Sequence, residues 1–273
     1  MLAAGGVELA LGARGEAAGP PVLLVHGFGG SARAWGEPAL AGLERGRRLL
    51  LVDLLGHGAS DDPEDPARVS LDPVLDDLER ALDAAGVESC DWIGYSMGGR
   101  IALAAALLRP ARIRRLVLES ASPGLEDEGA RAARRAQDDE LAARIQSEGI
   151  DAWIREWERS PPFAGRAALP DAVRLPFLAA RRANRADALA AWLRGLGTGA
   201  QPSFWDRLGE VRAPTLLVTG AGDPRYTEIA RRMESVLPEA RRATVAGAGH
   251  TVHLEAPEGW IAALDAFLTD EAP

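Results

Sequence analysis

The chain of 273 residues has one cysteine, Cys90. No internal disulfide can form, which fits a reducing compartment, and a cytoplasmic location is expected. Cys90 opens a strand-like segment and reads as buried filler rather than a reactive thiol. No apolar run is long enough to span a bilayer. Met1-Leu2-Ala3-Ala4-Gly5-Gly6 has neither a basic n-region nor an apolar h-region, so no signal peptide is expected. Positive charge is in deficit, with 31 Lys+Arg against 40 Asp+Glu and a net charge of −9. That balance gives the whole molecule no electrostatic reason to bind nucleic acid or an anionic membrane. No internal repeat is present, and an Ala/Arg bias is the sole compositional skew.

What is present is ordinary for a globular protein: 47% hydrophobic and 26% charged residues. The length suits one large domain or two small ones. The most informative stretch is Gly94-Tyr95-Ser96-Met97-Gly98, a Gly-x-Ser-x-Gly. Asp91-Trp92-Ile93 before it is strand-like, and Ile101 to Leu108 after it reads as a helix. A serine on a sharp strand-to-helix turn is a nucleophile elbow, where glycines let backbones approach and the helix N-terminus favours negative charge.

Continuous apolar runs mark strands covered on both faces, as in a parallel sheet. Pro21 to Val25 is such a run, and Arg48 to Asp53, Ile113 to Glu119, Ala213 to Gly220 and Arg241 to Ala246 also read as strands, with a short strand at Val7 to Ala10. Helices are expected over Ala32–Arg45 with Trp35 and Leu40 inward, Leu71–Ala85, Thr227–Leu237 and Glu258–Thr269. Gly12 to Pro20 reads as a turn and Pro63 to Val69 as a loop. Residues 121–207 lack a Val/Ile-rich strand run and carry helical spacing with breaks at Pro161-Pro162, Pro170 and Pro176. The fold expected is α/β, a mostly parallel twisted sheet with helices on both faces. Residues 1–120 and 208–273 form its core, and 121–207 form an inserted helical lid.

A serine hydroxyl needs a histidine to take its proton, and the histidine needs a carboxylate to fix its tautomer. His250 follows the last strand in Gly247-Ala248-Gly249-His250, and Asp223 follows the preceding strand in Gly220-Ala221-Gly222-Asp223-Pro224. Both stand with Ser96 at carboxyl ends of strands, in the order Ser, Asp, His of the α/β-hydrolase fold. Of the other histidines, His57 sits between two glycines, where holding a loop is the commoner role. His253 reads as a helix-lead residue near Glu255. His26-Gly27-Phe28-Gly29-Gly30 has the form of a loop that supplies an oxyanion-hole donor. The donors expected are the backbone N–H groups of Phe28 and Met97.

These features identify a resemblance to the α/β-hydrolase superfamily. Within it the chain closely resembles the 2-succinyl-6-hydroxy-2,4-cyclohexadiene-1-carboxylate synthases, pyruvate-eliminating lyases of menaquinone biosynthesis. The resemblance is carried by Gly94 to Arg100, Glu119 to Leu125 with Arg131, Glu156-Trp157-Glu158 before Pro161-Pro162-Phe163, and Leu196 to Pro202. It implies that Arg100, Arg131 and Arg181 bind substrate carboxylates, that Trp157 lines the pocket, and that Tyr95 flanks Ser96. It implies no cofactor and no metal. Arginines suit a multiply anionic substrate, since guanidinium matches carboxylate bidentately. Arg225 stands where relatives often carry lysine, and Glu126 where some carry glutamine. The partner expected is a small anionic substrate, with the protein a monomer or small homo-oligomer.

The resemblance further implies that Ser96, His250 and Asp223 act as a base. Two other readings share the same residues. One is a serine hydrolase, a carboxylesterase or carbon–carbon bond hydrolase acting on a small anionic substrate. The other is a binding protein on a hydrolase scaffold, against which the intact Ser, His and Asp argue.

Overall fold

The computed structural model describes residues 2–4 and 7–269. Met1, Gly5 and Gly6 of the N-terminal stretch read above, and residues 270–273 of the expected core, lie outside the described residues. β1 (Leu2–Ala4) and β2 (Val7–Leu9) pair as a small antiparallel ribbon. The main sheet contains β3 (Leu11–Gly15), β4 (Pro21–Val25), β5 (Arg48–Val52), β6 (Cys90–Tyr95), β7 (Ile113–Glu119), β8 (Thr215–Gly220) and β9 (Ala240–Val245). Their spatial order is β3-β5-β4-β6-β7-β8-β9. β3 is antiparallel to β5, and every other pairing is parallel.

The apolar runs divide between two faces because side chains alternate along a strand. Leu23 and Val25 of β4 join Leu50, Val52, Trp92, Leu116 and Leu118 on one face. Val22 and Leu24 join Leu49, Leu51, Ile93, Val117 and Val218 on the other. α2 (Leu71–Ala84) and α3 (Met97–Leu108) cover the first face with Leu75, Leu78, Ile101 and Ala105. α1 (Glu37–Leu43) and α10 (Pro257–Leu268) cover the second, with Leu40, Trp260 and Leu264. A fully buried Leu is worth about 2 kcal/mol, so these two layers supply most of the drive to form the sheet.

Between β7 and β8 the chain runs through α4 (Glu128–Glu148), α5 (Ile150–Trp157), a 3-10 segment (Pro161–Ala168), α6 (Asp171–Arg182) and α7 (Ala186–Leu196). A third apolar cluster, with Ile145, Trp153, Phe177, Leu189 and Leu193, holds these helices together. Among the described residues no helix is long and apolar enough to cross a membrane.

Several local expectations are corrected. Gly12 to Gly15, inside the stretch read as a turn, belongs with Leu11 to the edge strand β3, because pairing with Arg48 to Val52 overrides its Gly/Ala composition. The single helix expected over Ala32–Arg45 is a 3-10 turn, Ala32–Trp35, and then α1. Gly36, at φ 73°, breaks it. A short 3-10 turn, Pro66–Arg68, lies in the expected loop. α8 (Pro224–Glu234) starts before Thr227, because Pro224 takes the first helical position, where its missing N–H costs nothing.

Candidate functional site

Parallel strands bring their carboxyl ends to one edge. In register, Val25 lies beside Gly94, Tyr95 beside Glu119, and Gly220 beside Val245. The loops after β4, β6, β8 and β9 therefore converge, and they carry Phe28, Ser96, Asp223 and His250.

Ser96 sits at φ 52°, ψ −109°, a conformation that L-residues rarely adopt. The turn is held by an N–H donated from Ser96 to the Glu119 carbonyl at 2.8 Å. It closes so tightly that a Cβ on Gly98 would lie 2.0 Å from the Val25 carbonyl oxygen, and one on Gly94 2.5 Å from that of Gly98. Met97 is the first residue of α3, so its N–H lacks an intrahelical acceptor. Ser96 Oγ lies 3.1 Å from His250 Nε2, and His250 Nδ1 lies 2.7 Å from Asp223 Oδ2. The other oxygen, Oδ1, accepts the Tyr226 N–H at 3.2 Å and caps α8. One carboxylate thus starts a helix and fixes an imidazole.

A cavity of about 330 Å³ opens over Ser96, within the range of small-molecule pockets. Ser96, Met97, Asp223 and His250 form its floor. Phe28, Trp157, Phe163 and Tyr226 form an aromatic wall. Trp157 stacks on Phe163 at 5.3 Å, and Phe163 and Tyr226 stand edge-on to the His250 ring at 5.1 and 4.6 Å. Three arginines also line it, Arg100, Arg134 and Arg225.

Arg100, one turn beyond Ser96, donates Nη1 to the Leu196 carbonyl at 3.0 Å and to Gln201 Oε1. Both acceptors are neutral, and burial pushes the guanidinium down to about 10. Arg134 pairs with Asp138 at 2.8 Å. Arg131, expected to bind substrate, is ion-paired with Glu128 and is not among the lining residues. Arg134 is one turn further along α4 and reaches the cavity instead. Helical spacing of three was the signal available for it.

Arg181 is buried behind Phe28, with Nη1 3.4 Å from the Phe28 carbonyl and its guanidinium 4.5 Å over the Trp153 ring. Burial, and then the neighbouring Arg166, push it down to about 9. The structure does not bring Arg181 to the cavity lining. Tyr95 lies beneath His250, ring centroids 5.7 Å apart, with its hydroxyl 2.9 Å from Thr251 Oγ1. Burial raises that phenol. Arg225 lines the cavity, and Glu126 pairs with Arg232 at 2.8 Å.

The other three histidines are buried supports. His57 Nε2 accepts the Gly29 N–H at 3.2 Å and holds the loop that carries Phe28. His26 Nε2 accepts the Leu54 N–H at 3.1 Å. Burial pushes both imidazoles below their ordinary value, and for His57 the neighbouring His26 adds to the effect. His253 lies in the short helix Val252–Glu255, where it was read, and also places Nδ1 2.8 Å from Glu119 Oε1. That pair joins residues far apart in sequence, which no local pattern reveals.

A family described as the alpha/beta hydrolase fold matches residues 20–257. A Bacillus subtilis protein, provisionally named a 2-succinyl-6-hydroxy-2,4-cyclohexadiene-1-carboxylate synthase, is 37% identical over 97% of this chain and 96% of its own length. A Shigella flexneri protein with that synthase name is 31% identical, over 91% of this chain and 94% of its own. The solved structure of MenH from S. aureus superposes with a TM-score of 0.90 at 29% identity, covering 95% of this chain and 98% of that one. The chain belongs to the α/β-hydrolase fold family and, within it, to the 2-succinyl-6-hydroxy-2,4-cyclohexadiene-1-carboxylate synthase group that these relatives represent.

Proposed function

We propose that this protein is a lyase. It eliminates pyruvate from 2-succinyl-5-enolpyruvyl-6-hydroxy-3-cyclohexene-1-carboxylate to give 2-succinyl-6-hydroxy-2,4-cyclohexadiene-1-carboxylate. The observation that carries the reading is Arg100, a cation on the cavity wall whose hydrogen-bond acceptors are both neutral. Arg134 and Arg225 stand on the same wall. The acidic chain has gathered positive charge where a substrate with three carboxylates would bind, and an apolar ester needs none of it.

In this mechanism Ser96 and His250, oriented by Asp223, form the base. The ring C–H beside the succinyl ketone loses its proton. The electron pair develops as an enolate, whose oxygen the Met97 and Phe28 N–H groups stabilise. The enolate pair then moves through the ring double bond and breaks the ring C–O bond to the enolpyruvyl group. The departing enolate becomes pyruvate on gaining a proton at carbon, and no acyl-enzyme forms. Residues 121–207 act as the lid over this chemistry. They contribute Arg134, Trp157, Ser160 and Phe163 to the cavity, which supports that role. Arg181, one residue layer behind Phe28, would reach a carboxylate only if that wall moved.

The test is pyruvate release, measured with a coupled dehydrogenase, for wild type beside Ser96→Ala. Fast release that Ser96→Ala lowers by orders of magnitude supports the reading. A serine hydrolase is the second reading, favoured by the 3.1 Å Ser96–His250 contact, which suits acyl transfer equally. Rapid p-nitrophenyl ester turnover without pyruvate release would select it.

A further inference from the structure

We infer that Glu255 is the positioning residue for the His250 base, and that the lid bears on this carboxylate. The inference rests on the assignment of His250 made above. Glu255 ends α9 (Val252–Glu255), a single turn that folds back on the loop before it. Its Oε2 accepts the Gly249 N–H at 2.8 Å and its Oε1 the Thr251 N–H at 3.0 Å. One carboxylate thus grips the backbone on both sides of His250.

Charge-assisted bonds to backbone N–H groups are among the stronger ones available. With two of them the His250 Cα has a fixed place before substrate arrives. The ring can then meet Ser96 and Asp223 at once without a rotamer search. The lid touches the same clamp. A Cβ on Gly165 would lie 2.6 Å from Glu255 Oε2, and Phe163, two residues earlier, packs edge-on to the His250 ring. Lid position and base position are therefore mechanically joined by two routes, one through Glu255 and one directly through Phe163. Placement errors near 1 Å at a reacting centre cost on the order of 100-fold in rate, so loosening the clamp is expected to lower turnover without touching substrate affinity.

The experiment compares Glu255→Ala, Glu255→Gln and Gly165→Ala with wild type by two rates and one stability measurement. The first rate is steady-state pyruvate release. The second is inactivation by diisopropyl fluorophosphate, in which the Ser96 Oγ–P bond forms, the P–F bond breaks, fluoride leaves and His250 takes the hydroxyl proton. Glu255→Ala is expected to lower kcat and the inactivation rate together by at least about tenfold, with KM within twofold. Glu255→Gln keeps one acceptor and falls between the two. Gly165→Ala pushes the carboxylate aside and lowers both rates with KM unchanged. Thermal melting identifies the variants that remain folded. If folded Glu255→Gln and Gly165→Ala inactivate at the wild-type rate, the inference is overturned, even where Tm has dropped. The organophosphate step needs no ring substrate, so it tests the clamp even if pyruvate release is absent and the lyase reading fails.

Discussion

Replacing Arg100 by methionine separates a binding cation from a structural one. At neutral pH the guanidinium is charged in both folded and unfolded chains. Burial pushes its pKa from an ordinary 12.5 to about 10. At 1.36 kcal/mol per pH unit, holding that charge costs the folded state about 3 kcal/mol at most. The side chain is partly exposed, facing the cavity, and cavity water offsets some of that. Removing it strands the Leu196 carbonyl and Gln201 Oε1, which costs about 1–3 kcal/mol. The two terms oppose each other and are of similar size. Tm should therefore move by no more than about 4 °C, at 2–4 °C per kcal/mol. Binding has no such compensation. Loss of charge-assisted bonds to a substrate carboxylate is worth about 1.5–3 kcal/mol, or roughly 10- to 150-fold in KM. Differential scanning fluorimetry and steady-state pyruvate release read the two quantities. A KM within twofold of wild type, with Tm lowered by more than about 8 °C, would make Arg100 a strut and refute the reasoning.

Two further outcomes follow from the same geometry. Asp223→Asn keeps an oxygen to cap α8 but offers the wrong partner to His250 Nδ1. It should melt near wild type while kcat falls by about 10³–10⁴, as tautomer loss does in serine proteases; a loss under tenfold would count against the orienting role. His26 and His57 have folded-state pKa values below the unfolded value near 6.5. Above that pH both states are neutral and no penalty exists. As pH falls below it the unfolded chain takes up protons that the folded chain refuses, and stability drops by up to about 1.4 kcal/mol per pH unit for each imidazole. Urea melts from pH 7 to 5 should show that decline, and His57→Gln should make it shallower. An equal slope in the variant would contradict the assignment.

The sequence made the sheet and its loops legible because both rest on local signals. Continuous apolar runs marked β4 to β8, and glycines marked the turns that had to pass close to backbone. Ser96, Asp223 and His250 could be placed on one edge once those strands were read as parallel. Less was legible where tertiary pairing or exact helical phase decides. β3 carries turn-like composition and becomes a strand because β5 lies beside it. Arg131 and Arg134 differ by one turn of α4, and spacing alone does not say which one meets the cavity. Arg181 shows the same difficulty, because a buried guanidinium can lie one residue layer behind the wall. The Glu119–His253 pair and the Glu255 clamp are contacts across folded loops, with nothing in the flanking residues to announce them.

The central claim is that this Ser–His–Asp arrangement serves an elimination. Its most direct test is pyruvate release from 2-succinyl-5-enolpyruvyl-6-hydroxy-3-cyclohexene-1-carboxylate by wild type and by Ser96→Ala, each corrected for the uncatalysed rate. The account predicts fast release by wild type and a loss of at least about 10³-fold on removal of the hydroxyl. Release at the uncatalysed rate by wild type, or wild-type release by Ser96→Ala, would contradict it.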